Sequence, residues 1–159
     1  MIDSIFIFGA KYLFISSFII VGFYFWRQAP TKRLEMLLFL LLSLSLIDII
    51  AIIASQIYNN PRPFVSDGII PLIIHDAVNG FPSGHTLITA ALASALIFLD
   101  RRVGTILFLI AAFVAYSRVY VGVHHYIDIV GSFVITIVVT SAVYLLLRRF
   151  GFLVQNHFK

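Results

Sequence analysis

Apolar residues in this chain come in runs long enough to cross a bilayer, separated by short polar stretches, and that pattern decides most of what the chain can become. A spanning helix needs about 20 consecutive apolar residues, because the hydrocarbon core is about 30 Å thick and a helix rises about 1.5 Å per residue. Runs over about 5–26, 34–57, 83–99, 103–118 and 124–147 predict five such helices. The third, at roughly 25 Å, is short for a span, so one of its ends is expected below the membrane surface. The expectation is an all-α, integral membrane bundle of about five transmembrane helices, with residues 1–159 forming a single membrane-embedded domain.

Composition closes off the alternatives. Hydrophobic residues make up 61% and charged residues only 11%, against about 25% charged in soluble domains. Disorder is excluded on the same ground. The absence of cysteine excludes a disulfide scaffold and a cysteine-ligated zinc or iron–sulfur centre. The net charge of +4 would suggest nucleic acid in a soluble protein. Here the basic residues cluster at helix ends, so the expected partners are the lipid bilayer and its lipids, not nucleic acid. The opening Met1-Ile2-Asp3-Ser4 lacks a basic n-region and the run behind it is too long for a signal-peptide core, so that run is expected to stay as a structural helix.

Five spans put the loop after the first run, the Arg101-Arg102 turn and the C-terminal tail on one side. Eight of the eleven Lys and Arg lie there: Arg27, Lys32, Arg33, Arg101, Arg102, Arg148, Arg149 and Lys159. The positive-inside rule makes that side cytoplasmic. The connections over 58–82, which hold four of the five prolines, and 117–128 then share the outer face of the cell membrane. Tyr24 and Trp26 on one side, and Tyr58, Tyr116, Tyr120 and Tyr126 on the other, suit interfacial belts.

Most of the remaining ionisable chemistry falls in those two outer connections: Arg62, His75, Asp76, Ser83, His85, Arg118, His124, His125 and Asp128. A charge in the hydrocarbon costs about 2.5–3.5 kcal/mol on insertion scales, so such a cluster is a functional-site hypothesis by default. Two arginines among histidines suggest an anion, and forked guanidinium donors match phosphate oxygens. Pro82-Ser83-Gly84-His85 opens the third helix, where free N–H groups and the helix dipole favour an anion and Gly84 permits close approach. His124 and Asp128 are four apart, so on a helix the carboxylate can hold the imidazole's other nitrogen.

The blocks Pro61-Arg62-Pro63, Pro82-Ser83-Gly84-His85 and Ser117-Arg118 through His124-His125-Tyr126-Ile127-Asp128 together resemble the three-part signature of the type 2 phosphatidate phosphatase superfamily. That superfamily holds membrane lipid phosphatases and soluble vanadium haloperoxidases, and the apolar composition leaves only the membrane branch. The resemblance implies a two-step phosphate transfer that needs no metal and no cofactor. By position, His124 matches the nucleophile that becomes a phosphohistidine, Asp128 the carboxylate that orients it, and His85 the general acid that later activates water. Arg62, Arg118, Ser83 and Gly84 match the groups that bind the phosphoryl oxygens.

One position departs from that signature: the family's lysine seven residues before its arginine is Ser55 here. Lys11 is the expected replacement, about 9 Å below the outer end of the first helix and within snorkelling reach. His125 is expected to pack rather than react, and Asp48 to hold a structural hydrogen bond or to pair with Lys11. The resemblance implies dephosphorylation of a membrane lipid phosphate or diphosphate. The Pro61-Arg62-Pro63-Phe64-Val65 block favours a polyprenyl diphosphate such as undecaprenyl diphosphate. Gly84 is equally at home in phosphatidate or phosphatidylglycerophosphate phosphatases. A lipid phosphotransferase, or a non-enzymatic protein that binds or transports anionic lipid, are the rival readings.

Overall fold

The computed structural model describes residues 1–152, and its described residues form helices and loops. In chain order these are α1 (Ile2–Lys11), α2 (Phe14–Trp26), α3 (Pro30–Ile57), the single turn α4 (Pro63–Ser66), α5 (Gly84–Leu99), α6 (Arg101–Tyr120) and α7 (Tyr126–Arg149). Lys159, counted above among the inner cations, lies outside the described residues. By length and composition α3, α6 and α7 can each cross a bilayer.

The expected first span is not one helix. It breaks at Tyr12-Leu13 into α1 and α2, which meet at 53°. Packing explains the break. α1 lies along α6, where Phe6 stacks on Phe113 with centroids 5.7 Å apart and tilts against Tyr120 at 4.0 Å. Gly9 faces Ser117 and Phe113 so closely that a β-carbon would not fit. α2 instead packs chiefly on α5. A straight helix could not reach both neighbours, so the chain bends where Lys11 interrupts the apolar run.

α5 is the axis of the bundle, packing against α6 and α7 above all and also against α3 and α2. Its buried run Ala90-Ala91-Leu92-Ala93-Ser94-Ala95-Leu96 is small enough all round to let backbones approach. Gly104 of α6 meets the Ile97 main chain of α5, and Phe39, Phe98 and Tyr144 fill the space between α3, α5 and α7. The outside is the reverse of a soluble protein: Leu41, Leu46, Ile49, Ile53, Val138 and Leu145 are exposed, which lipid tolerates and water does not. The 16 residues of α5 span about 24 Å, so its N-terminus cannot reach as far as the ends of the 28-residue α3 beside it.

Asp100, between α5 and α6, caps α6 by accepting from the N–H groups of Arg102 and Val103. On the same end of the bundle Arg33 donates to the carbonyls of Gln28 and Trp26 and lies over the Trp26 ring at 5.2 Å. At the other end the Tyr120 hydroxyl donates to Asp3 at 2.8 Å.

Candidate active site

Two long-range clamps bring the connections over 58–82 and 117–128 together. Ile73 joins Ala10, Val121 and Val123 in a small apolar cluster, and the Leu72 N–H donates to the Val121 carbonyl. Asn79 holds the opposite flank: its amide donates to the Ser55 and Tyr58 carbonyls and its oxygen accepts from the N–H groups of Asn60 and Phe81. Between these clamps lie Arg62, Ser83, Arg118, His124 and Asp128, all buried.

His124 sits in the loop before α7 with each ring nitrogen committed. Nδ1 is 3.2 Å from Asp128 Oδ2, the i, i+4 spacing seen in the sequence. Nε2 faces both guanidiniums, at 3.2 Å from Arg62 and 3.4 Å from Arg118. Guanidinium nitrogens only donate, so Nε2 accepts and Nδ1 carries the proton, a tautomer Asp128 favours. Burial foremost, then repulsion from Arg118 and Arg62, holds the His124 pKa down at about 4 against the pull of Asp128. The result is a neutral imidazole with its lone pair pointing where two cations converge. That arrangement can attack an electrophile those cations hold.

Asp128 serves two structures at once. It is the third residue of α7 and accepts the His125 N–H at 2.9 Å, completing a capping box in which His125 is the N-cap. Its Oδ1 accepts from the Asn60 amide at 2.8 Å. Each arginine spends donors on the main chain: Arg62 on the Val123 carbonyl at 2.8 Å, Arg118 on the Ala10 carbonyl at 3.2 Å. The Nε of each is buried without a partner among the described residues. Those free donors suit oxygens of an incoming anion.

Ser83 is the N-cap of α5, but no side chain caps that helix. Its first-turn N–H groups therefore stay available to an anion. Ser83 Oγ accepts from Thr86, while its N–H donates to Ser132 Oγ, fixing α5 to α7. A β-carbon on Gly84 would meet nothing, so the surface there is open. His85 follows on the first turn, its ring edge-on to Phe14 at 4.7 Å and its electrostatic neighbours Arg118, His124 and His75.

Other residues depart from expectation. Lys11 is exposed and makes no hydrogen bond or ion pair among the described residues; the adjacent Ala10 carbonyl, not the Lys11 ammonium, touches Arg118. The bend after α1 is what directs the main chain there. Asp48 is also exposed and, among the described residues, neither pairs with Lys11 nor finds a side-chain hydrogen-bond partner. It lines a cavity of about 330 Å³ with Leu44, Ile47, Gly84, Leu87, Ile88 and Ala91. His125 anchors the loop instead, against the Pro61 carbonyl at 3.1 Å and Ser66 at 3.4 Å. His75 joins the cluster, its Nε2 taking Arg118 NH2 at 2.8 Å. Burial, then Arg62 and Arg118, lowers its pKa and keeps it neutral. Sequence reasoning did not find Asn60; its only signal was a polar pair, Asn59-Asn60, directly before the Pro61-Arg62-Pro63 block.

A membrane-embedded helical bundle with an Arg–Arg–His–Asp constellation at one end defines a phosphatase class. The family model of the PAP2 superfamily matches residues 36–152, and the chain belongs to that superfamily as one of its lipid phosphatases, whose general mechanism runs through phosphohistidine. The chain is 30% identical over 139 residues to undecaprenyl-diphosphatase BcrC of Bacillus subtilis, covering 87% of this chain and 72% of that one. Among solved structures, LpxE of Aquifex aeolicus superposes with a TM-score of 0.70 at 24% identity, over 89% of this chain and 82% of that one. The transmembrane PAP2-type phosphatidylglycerolphosphate phosphatase of Bacillus subtilis gives a TM-score of 0.60 at 26% identity, over 92% and 74%.

Proposed function

We propose that this chain removes the terminal phosphate of a polyprenyl diphosphate, undecaprenyl diphosphate foremost, at the outer face of the cell membrane. The observation that carries the reading is the His124 ring, with Nδ1 on Asp128 and Nε2 between two guanidiniums. His124 Nε2 attacks the terminal phosphorus, the P–O bond to the lipid monophosphate breaks, and His85 gives its proton to the leaving oxygen. Water then attacks the phosphohistidine, His85 takes the water's proton, and the P–N bond breaks to release inorganic phosphate. Asp128 keeps the imidazole oriented and stabilises the cation it becomes. Arg62, Arg118, Ser83 and the Gly84 N–H bind the phosphoryl oxygens and neutralise the charge that grows on them. Lys11 has no part in this reading, and phosphate is held by two arginines and a helix N-terminus.

The likeness to undecaprenyl-diphosphatase BcrC supports the diphosphate substrate, and the inner cluster of cations supports an outward-facing site. The 26% identity to a phosphatidylglycerolphosphate phosphatase favours a second reading, a glycerolipid monophosphate. One experiment separates them: phosphate release by purified protein in detergent with excess chelator, from undecaprenyl diphosphate, phosphatidate and phosphatidylglycerophosphate, with His124→Ala beside it. Release from the polyprenyl diphosphate that survives chelation and vanishes in the variant is the expected result. Preference for a glycerolipid selects the second reading. Labelled phosphate passing to another lipid in place of water identifies a phosphotransferase, and no release by folded wild type overturns the enzymatic reading.

A further inference from the structure

We infer that Asn60 is a positioning residue for the reaction: it fixes the rotation of the Asp128 carboxylate and, through it, the aim of His124. This inference rests on the reading above that His124 is the nucleophile. A carboxylate turns easily about its last torsion, whose wells are broad and two-fold, so a carboxylate that must present one oxygen to an imidazole needs something to hold the other. Asp128 Oδ2 takes both the His125 N–H at 2.9 Å and His124 Nδ1 at 3.2 Å. Oδ1 has one partner, the Asn60 amide at 2.8 Å.

Asn60 is itself held from three sides. Its N–H donates to Asn79 Oδ1 at 2.9 Å and its carbonyl accepts from the Gly80 N–H at 2.8 Å, leaving the side-chain amide directed at Asp128. Gly80 is needed for this approach, because a β-carbon there would lie 3.0 Å from both the Asn60 carbonyl and Asp128 Oδ2. Asn79 in turn ties the unit to the end of α3 through the Ser55 and Tyr58 carbonyls. The connection thus runs from α3 through Asn79, Asn60 and Asp128 to Nδ1 of the His124 ring, opposite the attacking Nε2. Asn60 touches no atom of the phosphate site directly and acts only through Asp128.

The test uses two variants. N60A removes the donor and leaves Oδ1 unpaired. N60D replaces it with a carboxyl that can donate only while protonated; two carboxyls at this distance retain one proton until the pH is raised. Sign follows directly: at acid pH the introduced carboxyl donates to Asp128 as the amide did, and at alkaline pH the two carboxylates repel. The charged and titratable groups that face Asp128, namely His124, His125 and Arg62, are common to wild type and variant, so the activity ratio isolates the new carboxyl.

Phosphate release from a lipid diphosphate is measured from pH 5 to pH 9 with purified full-length protein, with size exclusion and thermal unfolding as checks of folding. N60A is expected to lose about tenfold or more in kcat with KM within about threefold, the mark of an interaction needed at the chemical step. N60D is expected to exceed N60A at pH 5, with its ratio to wild type falling toward pH 9. If N60A does not fold, the acid-to-alkaline comparison within N60D still decides. Retention of kcat within threefold in N60A overturns the inference, as does an N60D enzyme no better than N60A at pH 5 or equally impaired at every pH. Inactive wild type would instead overturn the reading of function.

Discussion

Asp128→Asn keeps the shape of the side chain and removes one acceptor, and the structure says what must break. Three donors converge on the carboxylate: the Asn60 amide on Oδ1, the His125 N–H and His124 Nδ1 on Oδ2. An amide offers one oxygen and one NH₂. With its oxygen in the Oδ2 position, the cap of α7 and the His124 bond survive, and Asn60 must turn its own amide to offer an oxygen to the new NH₂. With the amide flipped, its NH₂ meets the His125 N–H and drives the imidazole to the tautomer whose Nε2 is protonated and cannot attack. The flipped orientation leaves a buried donor opposed, at about 1–3 kcal/mol. Both orientations lose the negative charge that strengthens the contact with the imidazole, at about 1.5–3 kcal/mol. The cost is about 1.5–3 kcal/mol in the first orientation and about 2.5–6 kcal/mol in the second, or about 10–10⁴ in kcat. Phosphate release in detergent reads kcat and KM, and thermal unfolding shows how much of the cost falls on the fold instead. A folded Asp128→Asn enzyme with kcat within tenfold of wild type would refute the reasoning.

Further outcomes follow from the same geometry. On the proposed mechanism His124 attacks only as the neutral ring, and its pKa is held at about 4, so kcat/KM should be insensitive to His124 at neutral pH and fall as the pH drops through about 4; an acid limb assigned to His124 and centred above pH 6 would contradict the proposal. Arg118→Lys replaces a fork that reaches the Ala10 carbonyl, His75 and His124 by a single point, and should cost about 10²-fold in kcat/KM; a loss under threefold would argue that the fork is not used. Gly104→Val places a β-carbon on the main chain of Ile97, which cannot yield as a side chain could. Overpacking of this kind costs about 1–3 kcal/mol, and an unchanged Tm would show that α5 and α6 can separate. Asp100→Ala removes the acceptor for two N–H groups at the start of α6, worth about 1 kcal/mol and readable as a lower Tm with unaltered KM.

The apolar runs made α3, α5, α6 and α7 legible because bilayer thickness imposes a length that composition alone reveals. Boundaries shifted by a few residues where Pro30 and Asp100 start helices earlier or sharpen their ends. The break at Tyr12-Leu13 was not legible: it is set by α1 choosing α6 and α2 choosing α5, and no local residue announces that choice. In the candidate site, Arg62, Arg118, His124 and Asp128 lie together in the structure, and the sequence pointed to them through the blocks that resemble a family signature. Lys11 was assigned from depth along a straight helix, and the bend removed the premise. Asn60 and Asn79 act through contacts across 68 and 19–24 residues, a partnership that a single sequence does not encode in any local pattern. His75 was visible as a histidine, but only the docking of Ile73 shows which arginine it meets.

The carboxylate proposed to aim the nucleophile is also the N3 residue of the capping box that opens α7. Before that helix is wound and seated, Asp128 has no fixed direction, Asn60 has nothing to hold, and His124 is an ordinary ring on a loose loop. The cap of α7 and the proposed site therefore assemble together, when α7 seats its first turn against Asn60. Helix start and proposed chemistry thus share one side chain, and its loss is expected to register in both.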